Sequence, residues 1–206
     1  ICYSIIKDLP SPDNYDTLKI LEPSIGVGNF LPLLIMKYRE VKNVTIDVVD
    51  IDEFAIKIVK LLVKKLDIPE NIKINYIHND FLLQEFKYRY DIVVGNPPFK
   101  KFNSDKKLLN TYKSNVINQD TNNLFSFFIE KCIQLGDIVS LVVPKSLINS
   151  PEYNKTREIL SKLKFNKIID YGEQGFKGVL IETISFILET KSVRADNVVE
   201  VESYIL

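Results

Sequence analysis

Short apolar runs with strand character alternate with longer segments of helical periodicity along most of this chain, and this alternation restricts its possible folds. Seven runs are predicted to be strands because turn-forming residues bound them. Parallel strands need crossover connections, usually helices, so the pattern is typical of a doubly wound α/β sheet with helices on both faces. The predicted strands cover residues 18–21, 44–49, 72–77, 91–95, 138–143, 165–171 and 183–188. The predicted helices include residues 53–66, 124–135 and 151–163.

The composition indicates one ordinary globular domain spanning residues 1–206. Hydrophobic residues make up 46% of the chain and charged residues 26%, which provides enough apolar material for a substantial core. The chain contains no apolar run of about 18 residues and no signal peptide, so we expect a cytoplasmic protein without a membrane span. It also lacks an initiator Met, which suggests a piece of a longer protein.

The histidine, cysteine and charge content argues against several kinds of site. His78 is the single histidine, and Cys2 and Cys132 lie far apart without metal-ligand spacing. We therefore expect no metal centre and no Ser-His-Asp triad. The net charge of zero argues against an autonomous, strongly basic nucleic-acid binder.

The predicted strand 91–95 ends in the sequence Asn96-Pro97-Pro98-Phe99. The two prolines stiffen the backbone, so Asn96 lies at the carboxyl end of the strand and the Phe99 ring follows three positions later. An amide oxygen and a carbonyl accept both hydrogens of a planar amino group while an aromatic ring stacks on the attached base. These residues therefore form a candidate binding site for a nucleic-acid base. The alternative is a strand-ending turn, because Asn and Pro are common in turns.

Polar residues close four successive predicted strands. They are Glu22, Asp50, Asp80 and Asn96. Ligands of open α/β sheets bind at the carboxyl ends of the strands, near the point where the strand order reverses. We therefore expect these four side chains to face one edge of the sheet.

A loop with two glycines connects the first predicted strand to the following helix. Gly26 and Gly28 allow close approach of a ligand to the backbone, but Leu31 stands at the third glycine position of the dinucleotide-binding fingerprint. A tight strand-to-helix turn is the alternative interpretation. The Asp50 carboxylate can accept hydrogen bonds from the hydroxyls of a ribose diol, and the Ile51 side chain can pack against the face of a purine.

Asp80 and Phe81 follow the third predicted strand. The carboxylate can accept from an adenine amino group, and the ring can cover the base. Alternatively, Asp80 is the N-cap of a helical turn over residues 82–86.

The segment 100–122 shows no clear periodicity and is locally basic. Loops of this length inside a domain are usually functional or mobile. One interpretation is contact with the phosphates of DNA, and the other is a solvated loop. The candidate phosphate-binding residues are Lys100, Lys101, Lys106 and Lys107.

Taken in order, four motifs resemble those of S-adenosylmethionine-dependent DNA adenine methyltransferases. They are Glu-Pro-Ser-Ile-Gly-Val-Gly-Asn-Phe-Leu at 22–31, Asp-Ile-Asp at 50–52, Asn-Asp-Phe at 79–81 and Asn-Pro-Pro-Phe at 96–99. The likeness continues through residues 124–131, 143–147, 153–160 and 168–172, so it covers nearly the whole chain. The motif order is similar to that of the gamma-type amino methyltransferases of restriction-modification systems, including the large bifunctional kinds.

The resemblance implies a Rossmann-like class I methyltransferase fold with a mostly parallel, seven-stranded sheet whose last strand is antiparallel. It implies transfer of a methyl group from S-adenosyl-L-methionine to the exocyclic amino group of adenine in double-stranded DNA, with base flipping. It also implies a specificity or nuclease domain as a partner, in the same polypeptide or in another subunit.

The resemblance also assigns roles to individual residues. The cofactor-binding residues it implies are Glu22, Pro23, Gly26, Gly28, Asp50, Ile51, Asp80 and Phe81. The catalytic motif is Asn96, Pro97, Pro98 and Phe99, in which Asn96 and the Pro97 carbonyl bind the target amino group and Phe99 stacks on the base. Phe176 matches the second aromatic residue that packs against the base from its other face, with a loop anchor as the alternative.

The chain departs from the family pattern at both ends. It begins after the position of the upstream Tyr-Thr-Pro-like cofactor motif, and the residues after about 188 are too few for a target-recognition domain. We therefore expect the catalytic core of a longer protein. Two alternatives stay open: a related methyltransferase acting on guanine in RNA or glutamine in proteins, and a noncatalytic DNA-docking module of the same fold.

Overall fold

The described part of the chain is one mixed sheet whose strands are connected by helices. The computed structural model describes residues 1–173, 181–193 and 199–204. The strands are β1 (Thr17–Glu22), β2 (Asn43–Asp50), β3 (Ile72–His78), β4 (Tyr90–Gly95), β5 (Gly136–Pro144), β6 (Leu163–Gly172), β7 (Thr183–Val193) and β8 (Glu200–Ser203). The helices are α1 (Cys2–Asp8), α2 (Leu31–Tyr38), α3 (Glu53–Val63), α4 (Lys106–Ser114), α5 (Leu124–Leu135), α6 (Ser146–Asn149) and α7 (Asn154–Leu160). None of these helices has the length and apolar content needed to cross a bilayer.

The strand order is β3-β2-β1-β4-β5-β7-β6-β8. The strands from β3 to β5 in this order are all parallel. In the other half, β7 is antiparallel to both β5 and β6, and β8 is parallel to β6. The chain proceeds from β1 to β2 and β3 on one side and then to β4 on the other side. The order therefore reverses between β1 and β4, which is where open α/β sheets form their ligand clefts.

Both faces of the sheet are buried because successive side chains of each strand point into two different cores. In β1, Leu18 packs with residues of α1, α2 and α3, whereas Leu21 packs with residues of α4, α5 and α7. In β4, Ile92 belongs to the same core as Leu18, and Val93 belongs to the same core as Leu21. The predicted doubly wound α/β fold, with helices on both faces and an antiparallel strand over 183–188, is therefore confirmed.

The structure corrects the prediction in three places. The described chain has eight strands rather than seven, because 200–203 pairs with β6. Residues 151–163, predicted as one helix, begin with a 3-10 turn at Pro151–Tyr153 and continue as the shorter α7. The aperiodic segment 100–122 contains α4, whose N-cap Asp105 accepts from the backbone N–H groups of Lys107 and Leu108.

Candidate active site

Two adjoining cavities open at the carboxyl ends of the parallel strands. The first has a volume of about 450 Å³ and the second about 270 Å³. Ser24, Gly26 and Asn96 line both cavities, so together they form one continuous cleft at the point where the strand order reverses. Further lining residues are Glu22 and Phe30 in the first cavity, and Asp50, Ile51, Asp80, Phe81, Tyr112 and Phe128 in the second.

The four strand-closing residues all lie along this cleft because parallel strands end at the same edge of the sheet. Glu22 is the last residue of β1 and Asp50 is the last residue of β2. Asp80 lies two positions after β3, and Asn96 directly follows β4. The cleft thus presents carboxylate and amide oxygens along one wall.

The two glycines of the loop after β1 have different environments. Both have positive φ angles, 53° at Gly26 and 82° at Gly28, which L side chains rarely adopt. A Cβ at Gly26 would have no atom within 4 Å, so Gly26 keeps the cleft open. A Cβ at Gly28 would lie 3.1 Å from Cγ2 of Val59, so Gly28 allows the loop to pack against α3. Gly28 lines neither cavity.

The Asp50 carboxylate connects the end of β2 to the glycine loop. Its Oδ2 accepts from the Gly26 backbone N–H at 2.8 Å, and its Oδ1 accepts from the Asp52 N–H at 2.9 Å. Each carboxylate oxygen keeps a further lone pair, so Asp50 can also accept from a ligand hydroxyl. The neighbouring Ile51 side chain is 66% exposed and lines the second cavity, where it offers an apolar surface.

Glu22 is a buried acid beside the first cavity. The residue is 1% exposed, and its Oε2 has no hydrogen-bond partner among the described residues. Burial, followed by the charge of Asp50, raises the pKa of the Glu22 carboxyl well above its ordinary value. A buried acceptor without a partner suits a ligand that brings N–H donors or positive charge.

Asn96 occupies the junction of the two cavities. Its side-chain Oδ1 is buried and has no hydrogen-bond partner among the described residues. Its backbone carbonyl accepts from the Ser24 hydroxyl at 2.9 Å, which ties the residue to the loop after β1. Pro97 is buried, and Pro98 lines the second cavity. The Asn96 backbone is thus held by Ser24, while its side-chain oxygen has no hydrogen-bond partner among the described residues.

Phe99 is half-buried and packs against both cores of the sheet. Its ring centroid lies 6.3 Å from that of Phe125, with the planes inclined at 80°. Phe99 lines neither of the two cavities. Phe176, the predicted second aromatic residue, lies outside the described residues.

Asp80 caps a turn and lines the second cavity at the same time. Its Oδ1 accepts from the Leu82 N–H at 2.9 Å, as expected of an N-cap, and its Oδ2 accepts from the Tyr112 hydroxyl. Phe81 is 3% exposed and packs against Phe128 at a centroid distance of 4.8 Å, with the ring planes inclined at 37°. The two interpretations of Asp80 are therefore compatible, because a carboxylate has lone pairs for both.

The four candidate phosphate-binding lysines lie in different settings. Lys100 is exposed and lines the second cavity. Lys101 pairs with Glu152 at 3.4 Å. Lys106 and Lys107 are exposed in the first turn of α4. The positive charge is thus located on the segment that follows the Asn96 motif.

Sequence reasoning missed Tyr112, Phe102 and Phe128 as lining residues of the second cavity. Phe128 carried a usable signal, since it lies in a predicted helix next to the sheet. Tyr112 also carried one, since it lies at helical spacing from Leu108 and Leu109, whereas Phe102 carried none. Their place in the site depends on the packing of α4 against the sheet.

Most of the chain matches a known protein family. Residues 43–176, more than half of the chain, match the family model of the Eco57I restriction-modification methylase. The type II methyltransferase M.VspI of Vibrio sp. (strain 343) is 28% identical over 182 residues, which are 86% of this chain and 43% of that protein. The type II methyltransferase M.AccI of Acinetobacter calcoaceticus is 30% identical over 181 residues, which are 82% of this chain and 32% of that protein. The chain therefore spans less than half the length of these relatives.

A solved structure supports the fold independently of sequence. It is a Listeria monocytogenes protein proposed to be a class I S-adenosylmethionine-dependent methyltransferase. The TM-score is 0.74 at 18% identity, over 98% of this chain and 61% of that chain. Such low identity shows the fold alone, which is the class I methyltransferase fold. The family match over residues 43–176 settles the relationship: the chain belongs to the Eco57I restriction-modification methylase family.

Proposed function

We propose that this chain binds S-adenosyl-L-methionine and transfers its methyl group to the exocyclic amino group of adenine in DNA, as the modifying part of a restriction-modification system. The observation that carries the proposal is the position of Asn96. Asn96 lines both cavities, and its buried Oδ1 lacks a hydrogen-bond partner among the described residues. A group bound in either cavity therefore lies beside the same residue.

The residues of the cleft fit the proposed cofactor. Glu22 offers an unsatisfied acceptor to the positively charged methionine end, and Gly26 leaves room for its backbone. Asp50 has free lone pairs for the ribose diol, while Ile51 and Asp80 line the cavity proposed for adenine. When bound, S-adenosyl-L-methionine supplies an activated methyl group on a sulfonium sulfur, which departs as a neutral thioether.

The chain's own contribution is to position and polarise the target amino group. That nitrogen is a poor nucleophile because its lone pair is delocalised into the base. Acceptance of its two hydrogens by Asn96 Oδ1 and the Pro97 carbonyl favours a pyramidal nitrogen with a more available lone pair. The amino nitrogen that gains the methyl group then releases one of its protons to water. Pro97 and Pro98 stiffen the backbone after β4. Little conformational entropy is therefore lost when the Asn96 amide and the Pro97 carbonyl align with the target amino group.

Access to a base in duplex DNA requires flipping of the base, and aromatic residues compensate for the lost stacking. We assign this role to Phe99 and, from the other face, to Phe176. We assign phosphate contact to the exposed Lys106 and Lys107 on α4 and to Lys100, which lines the second cavity. Sequence specificity and any nuclease are assigned to other domains or partner subunits, and the protein acts in the cytoplasm.

Asn96→Ala tests this proposal. The change should lower methyl transfer by about 100-fold or more, because one of the two acceptors for the target amino group is lost. Cofactor affinity should change little. Transfer from tritium-labelled cofactor to unmethylated DNA, RNA and protein measures the activity, with the chain expressed in its complete reading frame. Hydrolysis of the DNA should give N6-methyladenine as the labelled product.

Asn123→Ala is the matched control. Asn123 also has a buried Oδ1 without a partner among the described residues, but it lines neither cavity. This variant should keep normal transfer. Undiminished transfer by Asn96→Ala would remove the proposed mechanism. Label found in RNA or protein rather than in DNA would mean that RNA or protein is the substrate. Cofactor binding without transfer to any of the three would indicate a noncatalytic docking module.

A further inference from the structure

Helix α4 carries a tyrosine into the second cavity, where the adenine end of the cofactor is proposed to bind. Tyr112 is 4% exposed and lines this cavity. Its hydroxyl donates to Oδ2 of Asp80, a residue 32 positions earlier in the chain. Neither the motifs in the sequence nor the family match assigns a role to Tyr112.

We propose that Tyr112 is a positioning residue that acts through Asp80 to make the cofactor pocket selective for the adenine amino group. The proposal rests on the proposed function, because it assumes that the second cavity receives the adenosine moiety. Asp80 makes the contact with the base, and Tyr112 determines where the Asp80 oxygens point.

The hydrogen bonds of Asp80 show how this orientation is achieved. Oδ1 is held by the Leu82 N–H at 2.9 Å, and Oδ2 is held by the Tyr112 hydroxyl. With both oxygens restrained, the carboxylate plane cannot rotate freely about its last torsion. Each oxygen retains a lone pair for a further donor. The pocket therefore presents a fixed acceptor, which favours a purine that carries an amino group over one that does not.

The ring of Tyr112 is itself fixed by aromatic packing. Its centroid lies 5.4 Å from that of Phe102 and 6.3 Å from that of Phe127. Phe102 lines the same cavity, whereas Phe127 belongs to α5. Burial, followed by the hydrogen bond to Asp80, raises the pKa of the Tyr112 hydroxyl above its ordinary value. The group therefore remains a hydrogen-bond donor at neutral pH.

A buried polar network anchors the chain directly after α4. The Glu130 carboxylate of α5 accepts from the backbone N–H groups of Ile117 at 2.6 Å and Asn118 at 2.9 Å. The Asn118 side chain donates to the Glu152 carbonyl at 2.9 Å and to the Thr156 hydroxyl at 2.8 Å. These bonds connect the segment to α5 and α7, so α4 is held against the cavity rather than moving freely.

The chain contains a second tyrosine–aspartate hydrogen bond that serves as a matched control. The Tyr90 hydroxyl donates to Oδ2 of Asp47 at 2.6 Å. Neither residue lines the cleft cavities. Asp47 also accepts from Tyr88 and Asn75, so it keeps partners when Tyr90 is changed. Tyr90→Phe therefore removes the same kind of bond without touching the proposed pocket.

The test compares two ligands: S-adenosylhomocysteine and its analogue with a purine that lacks the exocyclic amino group. Calorimetry measures both dissociation constants for the original chain, Tyr112→Phe, Tyr90→Phe and Asp80→Asn. The original chain should prefer the adenine ligand. Tyr112→Phe should reduce this preference roughly tenfold, mainly by lowering the affinity for the adenine ligand. The reason is the loss of one charge-assisted hydrogen bond that orients the Asp80 carboxylate. Tyr90→Phe should retain the full preference.

If Tyr112 had a purely structural role, Tyr112→Phe would lower the affinity for both ligands equally and leave the ratio of the two dissociation constants unchanged. An unchanged ratio in Tyr112→Phe, with a reduced ratio in Asp80→Asn, would overturn the inference while leaving the proposed function intact. Failure of the original chain to bind either ligand would instead overturn the proposed function, and the inference with it. Circular dichroism of all variants verifies that they are folded.

Discussion

At the scale of single residues, the cleft combines features that favour ligand binding over the stability of the free protein. Glu22 is buried without a partner for Oε2 among the described residues, and its pKa is raised mainly by loss of hydration. Such a group destabilises the free fold when it is ionised. Under the proposed function, a ligand that supplies donors or positive charge removes this penalty.

Glu22→Gln should therefore stabilise the free protein and weaken cofactor binding. The folded-state pKa of Glu22 lies above its unfolded value, so its stability contribution is fully present below the unfolded pKa and is lost as the pH rises through the folded pKa. Chemical denaturation should show a gain of about 1 to 2 kcal/mol for the variant at pH 8 and less at pH 4. Cofactor affinity should fall about tenfold.

The exposed Glu158, changed to Gln, is the control for this prediction. It should alter neither the pH dependence of unfolding nor the affinity. Equal stability of the original chain and Glu22→Gln at all pH values would contradict the assignment of a buried, unsatisfied acid.

At the scale of secondary-structure elements, the connection between β4 and α5 is built from polar as well as apolar contacts. Asp105 caps α4, and Glu130 on α5 holds the chain that follows it. Glu130 is 3% exposed, and its oxygens accept from the buried N–H of Asn118 and the partly buried N–H of Ile117. This arrangement makes the longest connection of the domain an ordered wall of the cleft.

Glu130→Ala should leave the N–H groups of Ile117 and Asn118 without their acceptor. The expected loss is about 2 to 3 kcal/mol in the free energy of unfolding, since unsatisfied buried donors are costly. Hydrogen exchange should show faster exchange of these two amides than of those in β4. Glu130→Gln retains one acceptor oxygen, so its free energy of unfolding should fall by less than that of Glu130→Ala. Slow exchange at both amides in Glu130→Ala would disprove the anchoring role.

At the scale of the whole molecule, Lys167 connects the first helix to the last strands. Its Nζ lies 3.1 Å from Asp8 of α1, 3.0 Å from Glu200 and 2.9 Å from Glu202 of β8. The three carboxylates would repel one another without the lysine. This ion cluster joins α1 to the β6–β8 edge of the sheet, and neither Lys167 nor its three partners line the cleft cavities.

Lys167→Ala should lower the melting temperature, and the deficit should be larger in 20 mM than in 1 M sodium chloride. High salt screens the repulsion among the remaining carboxylates. Lys155→Ala removes a single exposed pair with Asp120 and should have little effect at either salt concentration. A salt-independent deficit in Lys167→Ala would show that packing of the lysine stem, not its charge, is important.

The sequence by itself determined the α/β class, most strand positions and the motifs that mark the edge of the sheet. Local rules were sufficient there, because buried strands are apolar, strand ends are polar, and Asn-Pro-Pro cannot continue a strand. The same rules missed α4, since only Leu109 and Tyr112 of its nine residues are buried. They also missed the pairing of β8, because strand partners are not encoded within four residues.

Only the tertiary structure decided which distant residues meet. It joined Tyr112 to Asp80, placed Asn96 at the junction of two cavities, and left Phe99 outside both. It also assigned Gly26 to the open cleft and Gly28 to the contact with α3. The physical reason is that these relations depend on how helices pack across the sheet, and packing is a property of three-dimensional shape rather than of local residue preference.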